Sequence, residues 1–305
     1  MRRERGVAVI TAILIVAVAA SAAAMMLSQQ SAMIDQALMV SSRAQADLYA
    51  QAGVDWARGV LAEDARRTRD VDTLAEGWAQ PIAALPVERA LVAGSIGDEQ
   101  GRFNLNNVMN GNQQSAPDIR MLREILGHVG LAPDLADAIV DWIDADADLS
   151  GGAGAEDAYY LGLQRPYRAA NRPMVQLEEL YRVRGFDAPA VAKLRPWVSA
   201  LPIRTATNVN TAGDVVIAAL LGVGRDRAAV LVAERRAKAF QQKADFAARV
   251  ALLGPAGAIP DYDVKSSHFL VHVRVAQDDV QLATEALVRR AEGGATDIIW
   301  RRPRY

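Results

Sequence analysis

The stretch DWIDADADLSGGAGAEDAYY, Asp141 to Tyr160, holds six acids and no basic residue: Asp141, Asp144, Asp146, Asp148, Glu156 and Asp157. Left unpaired, these carboxylates repel one another, and a glycine-rich loop cannot bury them. Asp144, Asp146 and Asp148 stand at alternate positions, as at the front of a calcium loop, where hard oxygens converge on a hard cation. The pattern is not an EF-hand. Leu149 stands where that loop needs glycine, Ala155 stands where it needs glutamate, and Glu156 comes one place late. Gly151, Gly152 and Gly154 would let the chain turn so that Glu156 and Asp157 face the aspartates. The expectation is a metal site for one or two calcium ions, with a solvated acidic loop as the plain alternative.

Other chemistry is sparse. There are no cysteines, which excludes disulfides, zinc–thiolate sites and thiol nucleophiles. The three histidines are His128, His268 and His272. His268 and His272 share one strand face by their even spacing, but two strand histidines without a third ligand read as surface residues. No nucleotide-binding glycine pattern appears. Tyr159, Tyr160 and Tyr167 beside Pro166 read as packing around the acidic loop. The chain is not expected to be an enzyme.

The elements that must position the acidic loop begin with an unusual amino terminus. Arg2, Arg3 and Arg5 precede Gly6, and Val7 to Leu27 is a run of 21 residues without formal charge. At about 1.5 Å per residue such a helix covers roughly 30 Å, the core of a bilayer. The arginines would hold the head in the cytoplasm and send the rest across. Ser21-Ala22-Ala23-Ala24 keeps a second reading open, a signal peptide cut near residue 25. Ser28 to Arg67 has no proline, and Met33, Ala37, Leu48, Ala52, Trp56 and Val60 recur at helical spacing. The apolar helix is therefore expected to continue into an amphipathic half.

Thr68 to Pro86 reads as a connector. Glu88 to Asn106 reads as a β-hairpin turning at Asp98-Glu99-Gln100-Gly101. Pro117 to about Leu253 reads as almost wholly helical. Strands return at His268 to Ala276 and around Val280 to Val288, before Asp297 to Tyr305 closes the chain. The simplest account of the order is a small α/β domain whose strands are interrupted by a helical insertion.

The insertion contains an echo. NLNNVMN at Asn104 and NVNTAGD at Asn208 each precede a helix, a glycine turn and a second helix. Thr211, three residues before Asp214, reads as a helix N-cap. Leu221-Gly222-Val223-Gly224 is close to a helix-hairpin-helix turn, a device that can present amides to a phosphate. Arg225, Arg227, Arg235, Arg236 and Lys238 follow it. Bases outnumber acids only 7 to 4 from Thr205 to Leu253, and the whole chain carries net charge −2. This is ordinary helix-surface charge, and no nucleic-acid partner is expected.

The basic head, Gly6 and an apolar helix from Val7 resemble a type IV pilin-like precursor. In that family a prepilin peptidase cuts after the glycine, methylates the new amine, and the helix is retained. The resemblance implies Gly6 and Val7 as the cleavage and N-methylation site. Pilins usually carry glutamate at the fifth mature residue, where this chain has Thr11. A carboxylate there is costly in lipid unless paired, and in pilins it is thought to pair with the amine of the subunit above. Thr11 can bond a carbonyl one turn back, but it carries no charge with which to dock under another subunit.

DWIDADAD, GAEDAYY, RPYRAANRP, EELYRVRGF and NVNTA, in this order, closely resemble the K-type minor pseudopilins of the type II, or general, secretion system. The resemblance implies an α+β fold in which a long pilin-like N-terminal helix packs on a small antiparallel sheet. A large all-α insertion of helix-hairpin-helix-like units lies between the strands. The expected divisions are a leader at 1–6, a transmembrane half-helix at 7–27, sheet-domain parts at 28–106 and 261–305, and the insertion at 107–260. The resemblance also implies calcium in the insertion, carried onto Asp144, Asp146, Asp148, Glu156 and Asp157, and onto Asp141 at the end of the preceding helix. The implied role is the tip of a periplasmic pseudopilus, anchored once in the inner membrane and serving export across the outer membrane. Its expected partners are the I-type and J-type minor pseudopilins and the prepilin peptidase, with exported proteins and the outer-membrane secretin as further contacts. The alternative reading is a membrane-anchored helix-hairpin-helix protein of DNA uptake.

Overall fold

The computed structural model describes residues 3–68, 70–252 and 259–304, with backbone alone for residues 3–7. Helix α1 runs unbroken over Arg3–Arg67. Ala8 onward forms one helix long and apolar enough to cross a membrane, with a mean hydropathy of 2.5 in its most apolar window and no burial there. Higher up, Ala46, Ala50, Val54, Ala57 and Leu61 are buried at intervals of three and four. Of the expected stripe, Val60 packs against this core, while Met33, Leu48 and Trp56 are exposed beside it. Small residues won the inward face because alanine lets the helix axis approach a sheet closely.

That sheet is antiparallel, in the order β1-β2-β9-β10-β11. Its strands are β1 (Ile82–Val87), β2 (Ala90–Asp98), β9 (His268–Gln277), β10 (Val280–Arg290) and β11 (Thr296–Pro303). Phe269, Val271, Val273 and Val275 point to α1 and share a core with it and with Trp78. The hairpin differs from expectation. It joins β1 to β2 and turns at Glu88, whose φ is +51°, while the tail of the presumed connector supplies β1. Pro86 is tolerated because β1 is an edge strand. Asp98-Glu99-Gln100-Gly101 is instead the exit from the sheet: the Asp98 carboxylate accepts from Gln100 N–H and caps a 3-10 turn over Glu99–Gly101.

Between β2 and β9 lies the insertion, with its own core. Its helices are α2 (Ala116–His128), α3 (Leu135–Ile143), α4 (Asp157–Leu161), α5 (Ala188–Leu194), α6 (Asp214–Leu221), α7 (Arg225–Ala237) and α8 (Lys243–Ala251). A small antiparallel pair joins β4 (Met109–Asn110) to β5 (Gln113–Gln114). The sequence echo is a structural one. β3 (Phe103–Asn104) pairs in parallel with β6 (Val198–Ser199), and β7 (Thr207–Asn208) pairs in parallel with β8 (Tyr262–Asp263).

In each unit a buried asparagine staples a distant segment. Asn106 Oδ1 accepts from Met174 N–H, and Asn210 Oδ1 accepts from Phe240 N–H. Two residues on, each segment forms a capping box, Gln176 with Glu179 and Gln242 with Asp245. The staples close over 68 residues in the first unit and 30 in the second. The extra chain of the first unit contains the acidic loop. It is less helical than expected, with α4 its only helix between Asp144 and Met174 among the described residues. Thr211 is not the cap of α6, which is Gly213; its hydroxyl bonds Asp98 instead.

Candidate functional site

Helix α3 is buried over almost its whole length, yet it carries Asp137 and Asp141 one turn apart, with Asp144 closing it. Spacing of four and three puts the three carboxyls on one face. The glycine loop after it lies backbone-first against that face. A Cβ on Gly151 would sit 2.0 Å from Asp137 Oδ2, and one on Gly154 would sit 2.3 Å from Asp141 Oδ2. Only residues without side chains allow this approach.

The loop is tied down from both sides. Ser150 N–H donates to Asp141 Oδ1 at 2.9 Å, and Arg184 Nη1 donates to Gly154 O at 2.7 Å. Asn171 N–H donates to Trp142 O at 3.0 Å. Tyr160 is fully buried, edge-on to Trp142 with ring centroids 5.3 Å apart. Tyr167 joins the same stack, as the sequence suggested.

Asp141, Asp144 and Glu156 are 0%, 2% and 5% exposed. Asp141 Oδ2, both oxygens of Asp144 and both of Glu156 are buried with no hydrogen-bond partner. They make up five of the eleven such atoms among the described residues, so the concentration is local. Burial pushes Asp144 up to about 6, with Asp146 and Asp141 adding to it. Burial likewise pushes Glu156 up to about 7, helped by Asp141, Asp144, Asp146 and Asp157. Asp146 is exposed and accepts from Asp148 N–H at 2.9 Å. Asp148 is exposed. Asp157 accepts from Ala169 N–H at 3.0 Å and lies 3.4 Å from Arg168.

These residues fit a hard divalent cation. Orphaned buried carboxylates are costly unless a cation or a proton neutralises them. The donors are all oxygens, which suits calcium or magnesium rather than zinc. Asp137, which sequence reasoning missed, pairs with Arg123 at 2.8 Å; its one-turn spacing from Asp141 was the available signal. Sequence reasoning also missed a second acidic group, Asp64, Asp72 and Glu76, whose oxygens lie within 4.8 Å of one another. Arg290 bridges Asp64 and Asp72, while Trp78 and Thr73 donate to Glu76. That group is a closed ion cluster at the joint between α1 and the sheet.

In the anchor, the Thr11 hydroxyl donates to Ala8 O at 3.0 Å, one turn back. Gly6 and Val7 fall within the backbone of α1; their side chains lie outside the described part. The histidine pair differs from expectation. His268 is fully buried beside Ser267, and His272 lies 3.3 Å from Glu285. After the Gly222 turn, Arg225 is bound to Asp214, and Arg235 is buried with its guanidinium on Val209 O.

Family models described as type II secretion system (T2SS), protein K, match residues 101–203 and 207–265. These spans coincide with the two stapled units. The type II secretion system protein K of Pseudomonas aeruginosa is 34% identical, the match covering 99% of this chain and 93% of that protein. The protein K of Aeromonas hydrophila is 30% identical over 96% of this chain and 98% of its own length. A chain in the crystal structure of the GspK-GspI-GspJ complex from enterotoxigenic Escherichia coli superposes with a TM-score of 0.78 at 24% identity, covering 86% of this chain and 97% of that one. With relatives that match nearly end to end and an acidic loop seated in the first of two matched units, this chain belongs to the protein K family of the type II secretion system, the K-type minor pseudopilins.

Proposed function

We propose that this chain is the tip subunit of the type II secretion pseudopilus, the structural component that first meets exported protein and the outer-membrane secretin. A prepilin peptidase cuts after Gly6 and methylates the amine of Val7, and α1 stays in the inner membrane with the bulk of the chain in the periplasm. The observation that carries the reading is α1 itself. It is one 65-residue helix, sheathed in exposed apolar residues below and bearing a folded head above. The uncharged Thr11, bonded within its own helix, leaves no carboxylate to meet the amine of a subunit above. The bulk of the insertion at the head supports the same position.

Asp141, Asp144 and Glu156, with Asp146, Asp148 and Asp157 from the same loop, would hold one or two calcium ions. The ion supplies positive charge to buried carboxylates and stabilises the folded insertion, because it binds only that form. The I-type and J-type minor pseudopilins are the partners, a reading supported by the complex in which the Escherichia coli relative was solved. Mass spectrometry of the mature amino terminus tests the proposal. N-methylated Val7 is expected, and a chain starting near Met25 would remove the filament reading.

A further inference from the structure

The described residues form two hydrophobic cores, not one. The core between α1 and the sheet shares no residue with the core of the insertion. The two bodies meet where the chain leaves the sheet and where it returns, at residues 98–101 and 265–268. Polar groups tie that point together. Asn208 Nδ2 donates to Asp98 Oδ2 at 3.1 Å and to Ser266 Oγ at 2.8 Å, and Ser267 N–H donates to Gln100 Oε1 at 2.7 Å. Asn208 and Ser266 are buried. At the same joint an open cleft of about 920 Å³ has Ala65 and Arg66 of α1 and Glu292 of the β10–β11 turn on one side. Ile203 and Thr205, in the link between the two insertion units, line the other. Two cores, a polar pivot and a cleft in the joint are the parts of a hinge.

Away from the joint, the strands of the sheet hydrogen-bond to the first unit through one side chain among the described residues. Arg302 Nη1, on β11, donates to Gln176 Oε1 at 2.7 Å and to Glu178 Oε2 at 3.1 Å. Both acceptors belong to the capped 3-10 turn that follows the Asn106 staple. Arg302 and Glu178 are half-buried, so their contact is a near-surface ion pair, weak and screened by salt. Each side also keeps a partner without the other. Arg302 Nη2 lies 3.3 Å from Glu285 Oε2 on β10, and its guanidinium stacks on Trp300, 4.6 Å from the ring centroid. Glu178 Oε1 accepts from Arg195 Nη1 at 3.0 Å. Opening the contact therefore strands no charge, and little separates the closed form from an open one.

We infer that the insertion is a rocking head. It pivots as one body on the polar joint at Asp98 and Asn208, and the contact of Arg302 with Gln176 and Glu178 is a salt-sensitive latch that fixes its tilt. The two insertion units share one core, so a latch on the first unit holds the second as well. The inference concerns a motion within this chain and does not rest on where in the filament the subunit sits. A head that tilts changes its outline above a fixed anchor helix.

The chain has no cysteine, so spin labels can be placed on chosen thiols in the full-length protein in detergent micelles. Lys193→Cys on the insertion with Arg274→Cys on β9 reports the tilt. Lys193→Cys with Arg227→Cys, one in each unit, reports whether the insertion stays one body. All three positions are exposed. Electron-spin distance measurement is expected to give one narrow distance for the tilt pair at low salt. That narrow distance is expected to be lost to a broad or two-peaked distribution in molar sodium chloride, where charges are screened beyond about 3 Å. The same loss is expected in Arg302→Ala at low salt. The control pair and the circular dichroism spectrum are expected to stay unchanged throughout. If either treatment leaves the tilt pair unaltered, the latch is overturned. If the control pair changes along with the tilt pair, the insertion has loosened and not rocked, and the pivot is overturned.

Discussion

Thr211 donates its hydroxyl to Asp98 Oδ2 at 2.6 Å, joining the last residue of β2 to the second unit of the insertion. The same oxygen accepts from Ser266 Oγ at 2.6 Å and Asn208 Nδ2 at 3.1 Å, while Oδ1 takes Gln100 N–H. One carboxylate thus satisfies four donors from both sides of the junction. Asp98→Ala leaves all four without it and is expected to cost about 2–4 kcal/mol; Thr211→Val removes one donor and is expected to cost about 1 kcal/mol. Urea unfolding of both variants checks the order. Equal effects would mean that the carboxylate is not the hub of the junction.

Gly154 separates packing from flexibility. Its added Cβ meets Asp141 Oδ2 at 2.3 Å and Gly151 O at 3.1 Å, and Asp141 is fully buried on a buried helix with no room to yield. Gly154→Ala is therefore expected to cost about 1–3 kcal/mol and to weaken the calcium response. Gly152 has nothing within 4 Å of the corresponding point, so Gly152→Ala is expected to change stability by less than about 0.5 kcal/mol. Thermal unfolding of the two variants side by side decides it. Similar losses would mean that loop flexibility, not contact with Asp141, is what the glycines provide.

Much of this was legible in the sequence because the signals were local. The 65-residue helix follows from uninterrupted apolar and then amphipathic chain, the echo from paired asparagine motifs, and the acidic loop from its composition. The inward face of α1 was not legible. Leu48 and Trp56 look like core residues by hydrophobicity, but the sheet selected Ala46, Ala50 and Ala57 for closeness, a tertiary choice that periodicity cannot rank. The hairpin turn was misplaced for a related reason. Asp98-Glu99-Gln100-Gly101 has turn composition, but its geometry is fixed by donors more than a hundred residues away, Asn208 and Thr211. Within the acidic loop, the alternation of aspartates drew attention to Asp148, which faces solvent, and away from Asp137, which is buried.

The proposed calcium site in the acidic loop makes a prediction about pH. Without the ion, Asp144 and Glu156 titrate near 6 and 7 in the folded chain, above their ordinary values of 3.8 and 4.5. The fold therefore favours their protonated forms. That stability is fully present below about pH 4 and is lost as pH rises through 6 and then 7. Calcium held as proposed would reverse the balance by binding the ionised forms, so the rise in unfolding temperature on adding millimolar calcium is expected to be small at pH 5 and larger at pH 7.5. Scans with calcium or chelator at both pH values test this. No rise at pH 7.5, or an equal rise at pH 5, would count against a structural ion held by Asp144 and Glu156.

Leu61 and Trp56 lie little more than a turn apart on α1 and should behave as opposites. Leu61 is fully buried against the sheet, and truncating such a residue leaves a cavity that packed neighbours fill only in part. Leu61→Ala is expected to cost about 2–5 kcal/mol of folding stability, and any loss of partner binding should follow from that. Trp56 is 56% exposed, on the rim of an apolar groove between α1 and the β1–β2 hairpin. Trp56→Ala is expected to leave unfolding within about 0.5 kcal/mol of the parent chain, while co-purification of the I-type or J-type partner falls, because a large aromatic on an apolar rim is a typical anchor for association. Measuring both quantities on both variants gives a double dissociation. If Trp56→Ala lowers folding stability as much as Leu61→Ala, the exposed flank of α1 is an uncovered part of the chain's own core and not a surface kept for a partner.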